Sequence, residues 1–106
     1  ISARSLELAE KARTGKLLPD DYIGNTFTVS NLGPYGVDQF TAIINQPDSA
    51  ILAVGRMTDR VVAINGEIHI RPIMKLTISS DHRVIDGALA AQFMGRVKEI
   101  IESADF

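Results

Sequence analysis

The sequence reads as an α+β domain, a mixed and largely antiparallel sheet covered by helices. Three observations point there. Helical periodicity is confined to the two ends of the chain, around Leu8 and around Phe93. The middle is made of short segments that alternate in polarity or run apolar, as strands do. Between two of these segments stands Asn65-Gly66, the strongest short-range hairpin signal. Strands grouped together, with helices set apart from them, describe α+β architecture.

Taken in order, Ile1, Ser5, Leu8, Ala9 and Ala12 fall on one helical face, Glu7, Glu10, Lys11 and Arg13 lie elsewhere, and Gly15 is placed as a stop. Pro19-Asp20-Asp21 and Gly24-Asn25 predict turns. Thr26 to Asn31 is β-branched, aromatic and alternating, so a strand is expected, ended by the turn cluster Gly33-Pro34-Tyr35-Gly36. Thr41 to Asn45 predicts a second short strand closed by Pro47, and the apolar run Ala50 to Val54 a strand covered on both faces. Val61 to Ile64 and Glu67 to Ile70 flank the hairpin turn, and Met74 to Ser80 is the last strand. From Asp86 the period changes: Leu89, Phe93, Val97 and Ile100 or Ile101 make a helical stripe.

Composition narrows the function. A hydrophobic share of 45% supports a folded domain, and a net charge of −2 with interspersed signs offers no basic field for nucleic acid or anionic membrane. The chain has no cysteine, hence no disulfide or thiolate metal site. No apolar run approaches the roughly 18 residues of a membrane span. An intracellular setting is expected.

The densest chemistry is in Asp81-His82-Arg83-Val84-Ile85-Asp86-Gly87, which joins the last strand to the last helix and holds one of only two histidines. A strand-to-helix junction fixes a side chain while leaving it accessible, which suits a general base. On the heptad alone, a turn histidine that merely satisfies backbone groups remains open. Asp86, before Gly-Ala-Leu, is also a preferred N-cap. Asp81 and Arg83 read as solvated or ion-paired loop residues, and Gly87 as a site of close backbone packing. His69 shares a polar face with Glu67 and Arg71 and is set aside as a surface residue.

The His-x-x-x-Asp-Gly signature, His82 to Gly87, is accompanied upstream by Thr26-Phe27-Thr28-Val29-Ser30-Asn31-Leu32-Gly33, Ala42-Ile43-Ile44-Asn45-Gln46-Pro47 and Ala50-Ile51-Leu52-Ala53-Val54-Gly55. In order and spacing these four blocks resemble the dihydrolipoamide acyltransferases, the core components of 2-oxo acid dehydrogenase complexes. The signature alone is shared with chloramphenicol acetyltransferases, which makes those a second enzymatic reading. The resemblance implies a chloramphenicol acetyltransferase-like fold, with residues 1–106 as the C-terminal part of a catalytic domain about twice this size. The lipoyl, partner-binding and N-terminal catalytic segments would then lie outside these residues.

The same resemblance implies transfer of an acyl group, acetyl first and branched-chain acyl or succinyl behind it, between S-acyldihydrolipoamide and coenzyme A. Coenzyme A is then a substrate, the lipoyl group sits on another domain, and no metal takes part. It implies His82 as base, Ser30 as the oxyanion-stabilising hydroxyl and Asp86 as the residue orienting the loop, with His82 and Ser30 of one site coming from neighbouring subunits of a homotrimer. Larger cores of such trimers work with decarboxylase and dihydrolipoamide dehydrogenase components, in the cytoplasm of bacteria or archaea or the mitochondrial matrix of eukaryotes. Asn31 is expected to tie down its loop. A non-catalytic core scaffold is the competing class, and an intact His82, Ser30 and Asp86 argue against it. Three other constellations are weaker. His82 with Asp81 and Asp86 lacks a third nitrogen or sulfur ligand for a metal. A Ser-His-Asp hydrolase lacks the Gly-x-Ser-x-Gly elbow, and no phosphate loop is present.

Overall fold

In the computed structural model of the chain, residues 1–104 are described. Helix α1 spans Ser2–Arg13 and gives way to Gly15 at φ 70°, the left-handed stop expected there. Among the described residues none of it is buried, and of its apolar face only Leu8 is half-covered. Pro19–Tyr22 forms a single helical turn, α2, where a plain turn was expected; the Asp21 carboxylate accepts the Leu18 N–H at 3.0 Å and closes it.

The core is a three-stranded mixed sheet in the order β1 (Thr28–Asn31), β2 (Ala50–Val54), β5 (Leu76–Ser80). Strand β2 lies between a parallel β1 and an antiparallel β5, and the buried apolar residues Ala50, Ile51 and Ala53 are all on it. A run apolar at every position is what a central strand covered on both faces requires. After β1, the Asn31 side-chain oxygen accepts the Gly33 N–H at 2.9 Å, and a 3-10 turn over Gly33–Tyr35 ends at Gly36.

Strands β3 (Thr58–Ile64) and β4 (Glu67–Ile73) form a separate antiparallel pair, not part of one continuous sheet. The expected turn is present, with Asn65 at φ 51° and Gly66 at φ 78°, the double left-handed conformation of a type I′ hairpin. The hairpin prolongs the β2–β5 pair, but Gly55, Arg56 and Met57 on one side face only Met74 and Lys75 on the other. That extra residue breaks the ladder as a bulge does. At Gly55 itself an added Cβ would lie 1.9 Å from the Asp38 carbonyl oxygen, so only glycine lets the 37–39 segment cross there. The Arg56 N–H donates to Val37 O at 2.8 Å, and the Arg56 guanidinium pairs with Asp38, holding that carboxyl below its usual range.

Four sequence expectations need correction. Thr41 to Asn45 keeps the exposed and half-buried alternation of a strand but joins no ladder among the described residues, and Ile43 is 91% exposed. Its pattern is strand-like, yet no neighbouring strand is in place. On β4, His69 is less exposed than its neighbours Ile68 and Ile70, which with Val61 form an apolar hairpin face at 80%, 68% and 69% exposure. His69 Nε2 lies 3.4 Å from Glu67. Among the described residues nothing lies within 4 Å of a Cβ added at Gly87, so close packing there does not explain it.

The fourth correction concerns α3, Gly87–Ser103, which packs across β5. The face turned inward is Ala90, Met94, Val97 and Ile100: Val97 and Ile100 of the expected stripe are in place, but Ala90 and Met94 stand where Leu89 and Phe93 were expected, and those two remain exposed. The Phe93 ring still meets Phe27 at 5.8 Å, tilted by 53°. The molecule is extended, with a radius of gyration of 16.4 Å against roughly 13 Å for a compact domain of this length. Among the described residues, no helix is long and apolar enough to cross a membrane.

Candidate active site

His82 lies in the turn that joins β5 to α3, as the heptad predicts. The turn is closed by the Val84 and Ile85 N–H groups, which donate to the Asp81 carbonyl at 2.9 and 2.8 Å. The Asp81 carboxylate accepts the Arg83 backbone N–H at 3.0 Å and both arms of its guanidinium at 3.0 and 2.8 Å. The guanidinium, and then the backbone N–H, hold the Asp81 carboxyl down at about 2, and the Asp81 carboxylate in turn pushes Arg83 up from its ordinary value. The Asp81 N–H donates to Ser49 O at 2.8 Å and thereby ties the turn to the segment that enters β2. His82 is exposed on a turn held from both sides, which leaves its ring free to exchange a proton with a bound molecule.

Asp86 caps α3: its carboxylate accepts the Leu89 N–H at 2.7 Å. A negative group at a helix start also meets the positive end of the helix dipole. This fixes where the helix begins and therefore the length of the turn that carries His82.

His82 opens onto a cavity of about 590 Å³, bounded by Ile44, Gln46, Pro47 and Asp48 on one side and Ser80 to Arg83 on the other. Asp48 is 4% exposed. One of its oxygens accepts the Asn25 amide at 2.7 Å and the Thr28 hydroxyl, and the other has no partner among the described residues. Sequence reasoning passed over Asp48, because Pro-Asp-Ser after a short run looks like an ordinary turn. Its partners lie 23 and 20 residues upstream, beyond any local pattern.

Ser30 stands in β1, half-buried, level with Ala53 of β2, which in turn is level with Thr77 of β5. His82 lies past Ser80 at the other end of the sheet, on the far side of β2. At roughly 3.3 Å per residue and 4.8 Å between strands, their backbones are on the order of 15 to 20 Å apart. One chain therefore does not bring Ser30 and His82 together. It does bring together His82, Asp81, Arg83 and Asp48.

All of residues 1–106 match the family described as 2-oxoacid dehydrogenases acyltransferase (catalytic domain), and the chain belongs to that family. It is 51% identical over 106 residues to the dihydrolipoyllysine-residue acetyltransferase component of the mitochondrial pyruvate dehydrogenase complex of Schizosaccharomyces pombe, covering 97% of this chain and 22% of that protein. It is also 51% identical over 98 residues to the dihydrolipoyllysine-residue succinyltransferase component of the 2-oxoglutarate dehydrogenase complex of Rickettsia bellii, covering 92% and 24%. Among solved structures, the Azotobacter vinelandii dihydrolipoamide acetyltransferase superposes with a TM-score of 0.87 at 44% identity, covering 92% of this chain and 40% of that one. A serine, a histidine and an asparagine have been investigated for their role in that enzyme's catalytic mechanism. The chain thus spans about a quarter of the curated relatives it matches and under half of the solved enzyme.

Proposed function

We propose that these residues are the C-terminal part of an acyltransferase catalytic domain that moves an acyl group, acetyl in the first instance, between S-acyldihydrolipoamide and coenzyme A. The observation that carries this is the placement of His82, rigid and accessible at the mouth of a cavity. A second support is spacing. The serine, histidine and asparagine of the Azotobacter enzyme stand at the same intervals as Ser30, His82 and Asp86 here, with aspartate in place of asparagine.

Neutral His82 takes the proton of the coenzyme A thiol. An ordinary thiol with a pKa of about 8.5 is mostly protonated at neutral pH, and the thiolate is the competent nucleophile. The thiolate attacks the thioester carbonyl, and the Ser30 hydroxyl donates a hydrogen bond to the oxygen that becomes negative. The carbon–sulfur bond to the lipoyl group then breaks, and the imidazolium returns its proton to the departing sulfur. Neither side chain is acylated. Because Ser30 and His82 of one chain lie at opposite ends of the sheet, each complete site takes its serine from one subunit and its histidine from another. This is the reason for a trimer, and such trimers would build the core that receives the decarboxylase and dihydrolipoamide dehydrogenase components. Asp86 serves through its helix cap, which sets the turn. The acetyl and succinyl relatives are equally similar, so the acyl group is ranked by the motif resemblance.

Replacing His82 by Ala in the full chain tests the reading. Acetyl transfer from acetyl-dihydrolipoamide to coenzyme A should be lost while assembly persists, because an exposed turn residue contributes to the barrier and not to the core. Near-normal turnover in that variant would refute the mechanism.

A further inference from the structure

We propose that Asp48 is a positioning residue for the reaction at His82, acting through the backbone link from Ser49 to Asp81. This rests on the acyl-transfer reading above. The Asp48 carboxylate is buried and accepts from Asn25 and Thr28, so the Pro47–Ser49 segment is fastened to the loop before β1 and to β1 itself. The next residue, Ser49, supplies the carbonyl that receives the Asp81 N–H at 2.8 Å. Asp81 is the residue that accepts every bond closing the His82 turn, from Val84, Ile85 and Arg83. A continuous chain of bonds therefore runs from Thr28 through Asp48, Ser49 and Asp81 to the turn that carries the base.

Fold stability gives no reason for a carboxylate at this position. Its partners are an amide and a hydroxyl, and its second oxygen is buried without a donor among the described residues. A buried carboxylate that makes no ion pair among the described residues is costly, and an apolar side chain of similar size would fill the volume without that cost. What an apolar residue would lose is the fastening. Asp48 also forms part of the wall of the cavity onto which His82 opens, so slack in the 47–49 segment displaces both the base and the surface that a bound thiol meets. A shift of about 1 Å at a reacting group can cost up to 10²-fold in rate.

The test uses the full chain in its assembled form, with acetyl transfer to coenzyme A measured per assembled protein well below the melting temperature. Asp48→Ala should lower kcat roughly 10- to 100-fold with KM for both substrates little changed. Asp48→Asn keeps one side-chain oxygen able to accept from both Asn25 and Thr28 and should recover most of kcat. Thr28→Val, which removes one donor at nearly constant size, should lower kcat in the same sense, and combined with Asp48→Ala should cost no more than Asp48→Ala alone. Val97→Ala on α3, a destabilised control remote from the turn, should lower the melting temperature and leave kcat unchanged.

A kcat for Asp48→Ala within twofold of the wild type would overturn the proposal, as would an Asp48→Asn variant no better than Asp48→Ala. If Asp48→Ala does not assemble, Thr28→Val decides: an unchanged kcat overturns the proposal. A wild type with no transfer at all would instead defeat the acyl-transfer reading, so the two failures are distinguishable.

Discussion

The clasp that holds His82 responds to pH through the Asp81 carboxyl. Arg83 depresses the Asp81 carboxyl from an ordinary 3.8 to about 2. A carboxyl lowered on folding contributes its stability above its unfolded value and loses it as pH falls through the folded one. The clasp is therefore intact from neutrality down to about pH 4 and opens between there and about pH 2. Hydrogen exchange of the Val84 and Ile85 amides against pH checks this: their protection persists down to about pH 4 and declines below it, and protection already lost near neutrality would show that the clasp does not hold the turn. Ser30→Ala should lower kcat by on the order of 10²- to 10³-fold with KM little changed, as loss of an oxyanion donor does. A trapped acyl-serine in the wild type would show that Ser30 is a nucleophile instead.

Elements whose signals are local were legible in the sequence, and elements that depend on distant partners were not. Asn65-Gly66 gave the hairpin because both residues tolerate the left-handed region, and Asp86 gave the start of α3 because a cap is a contact over three residues. Replacing Asp86 by Ala should destabilise by roughly 0.5 to 2 kcal/mol, measured by denaturant unfolding, and fray the first turn of α3. Thr41 to Asn45 failed as a strand because polarity alternation says nothing about whether a partner strand is present. The second half of the α3 face, Val97 and Ile100, was legible, but its first half was misread because Ala90 and Met94, small or adaptable, turn inward where Leu89 and Phe93 looked more apolar. The break between the two sheets follows from a one-residue mismatch around Gly55, visible only once register is known. Gly55→Ala should destabilise by roughly 1 to 3 kcal/mol, as overpacking does, since the 37–39 segment must move off the added methyl. A midpoint unchanged from wild type would show that this segment yields freely.

The whole molecule carries a surface too large for its mass. The accessible area is 8272 Å², where a compact protein of this mass exposes roughly 5,800 Å². The excess includes the apolar hairpin face of Val61, Ile68 and Ile70, and Leu89 and Phe93 on α3. Exposed apolar surface on this scale favours association, so the 106 residues in isolation should be polydisperse by static light scattering and show little transfer. A monodisperse, fully active monomer would contradict both the proposed partial domain and the shared site. The candidate base was legible from its motif, whereas the separation of Ser30 from His82 appears only in the register of the sheet. That separation leads to the central claim, a site shared between chains, which is tested most directly by mixing. Full-length His82→Ala and Ser30→Ala chains, each strongly impaired alone, are assembled together in equal amounts. Sites shared between subunits regain an intact serine from one variant and an intact histidine from the other, in roughly a quarter of cases for random mixing in a cyclic trimer. Recovery of acetyl transfer to about that level is the predicted result; activity no higher than that of the two parents would show that each chain carries its own site.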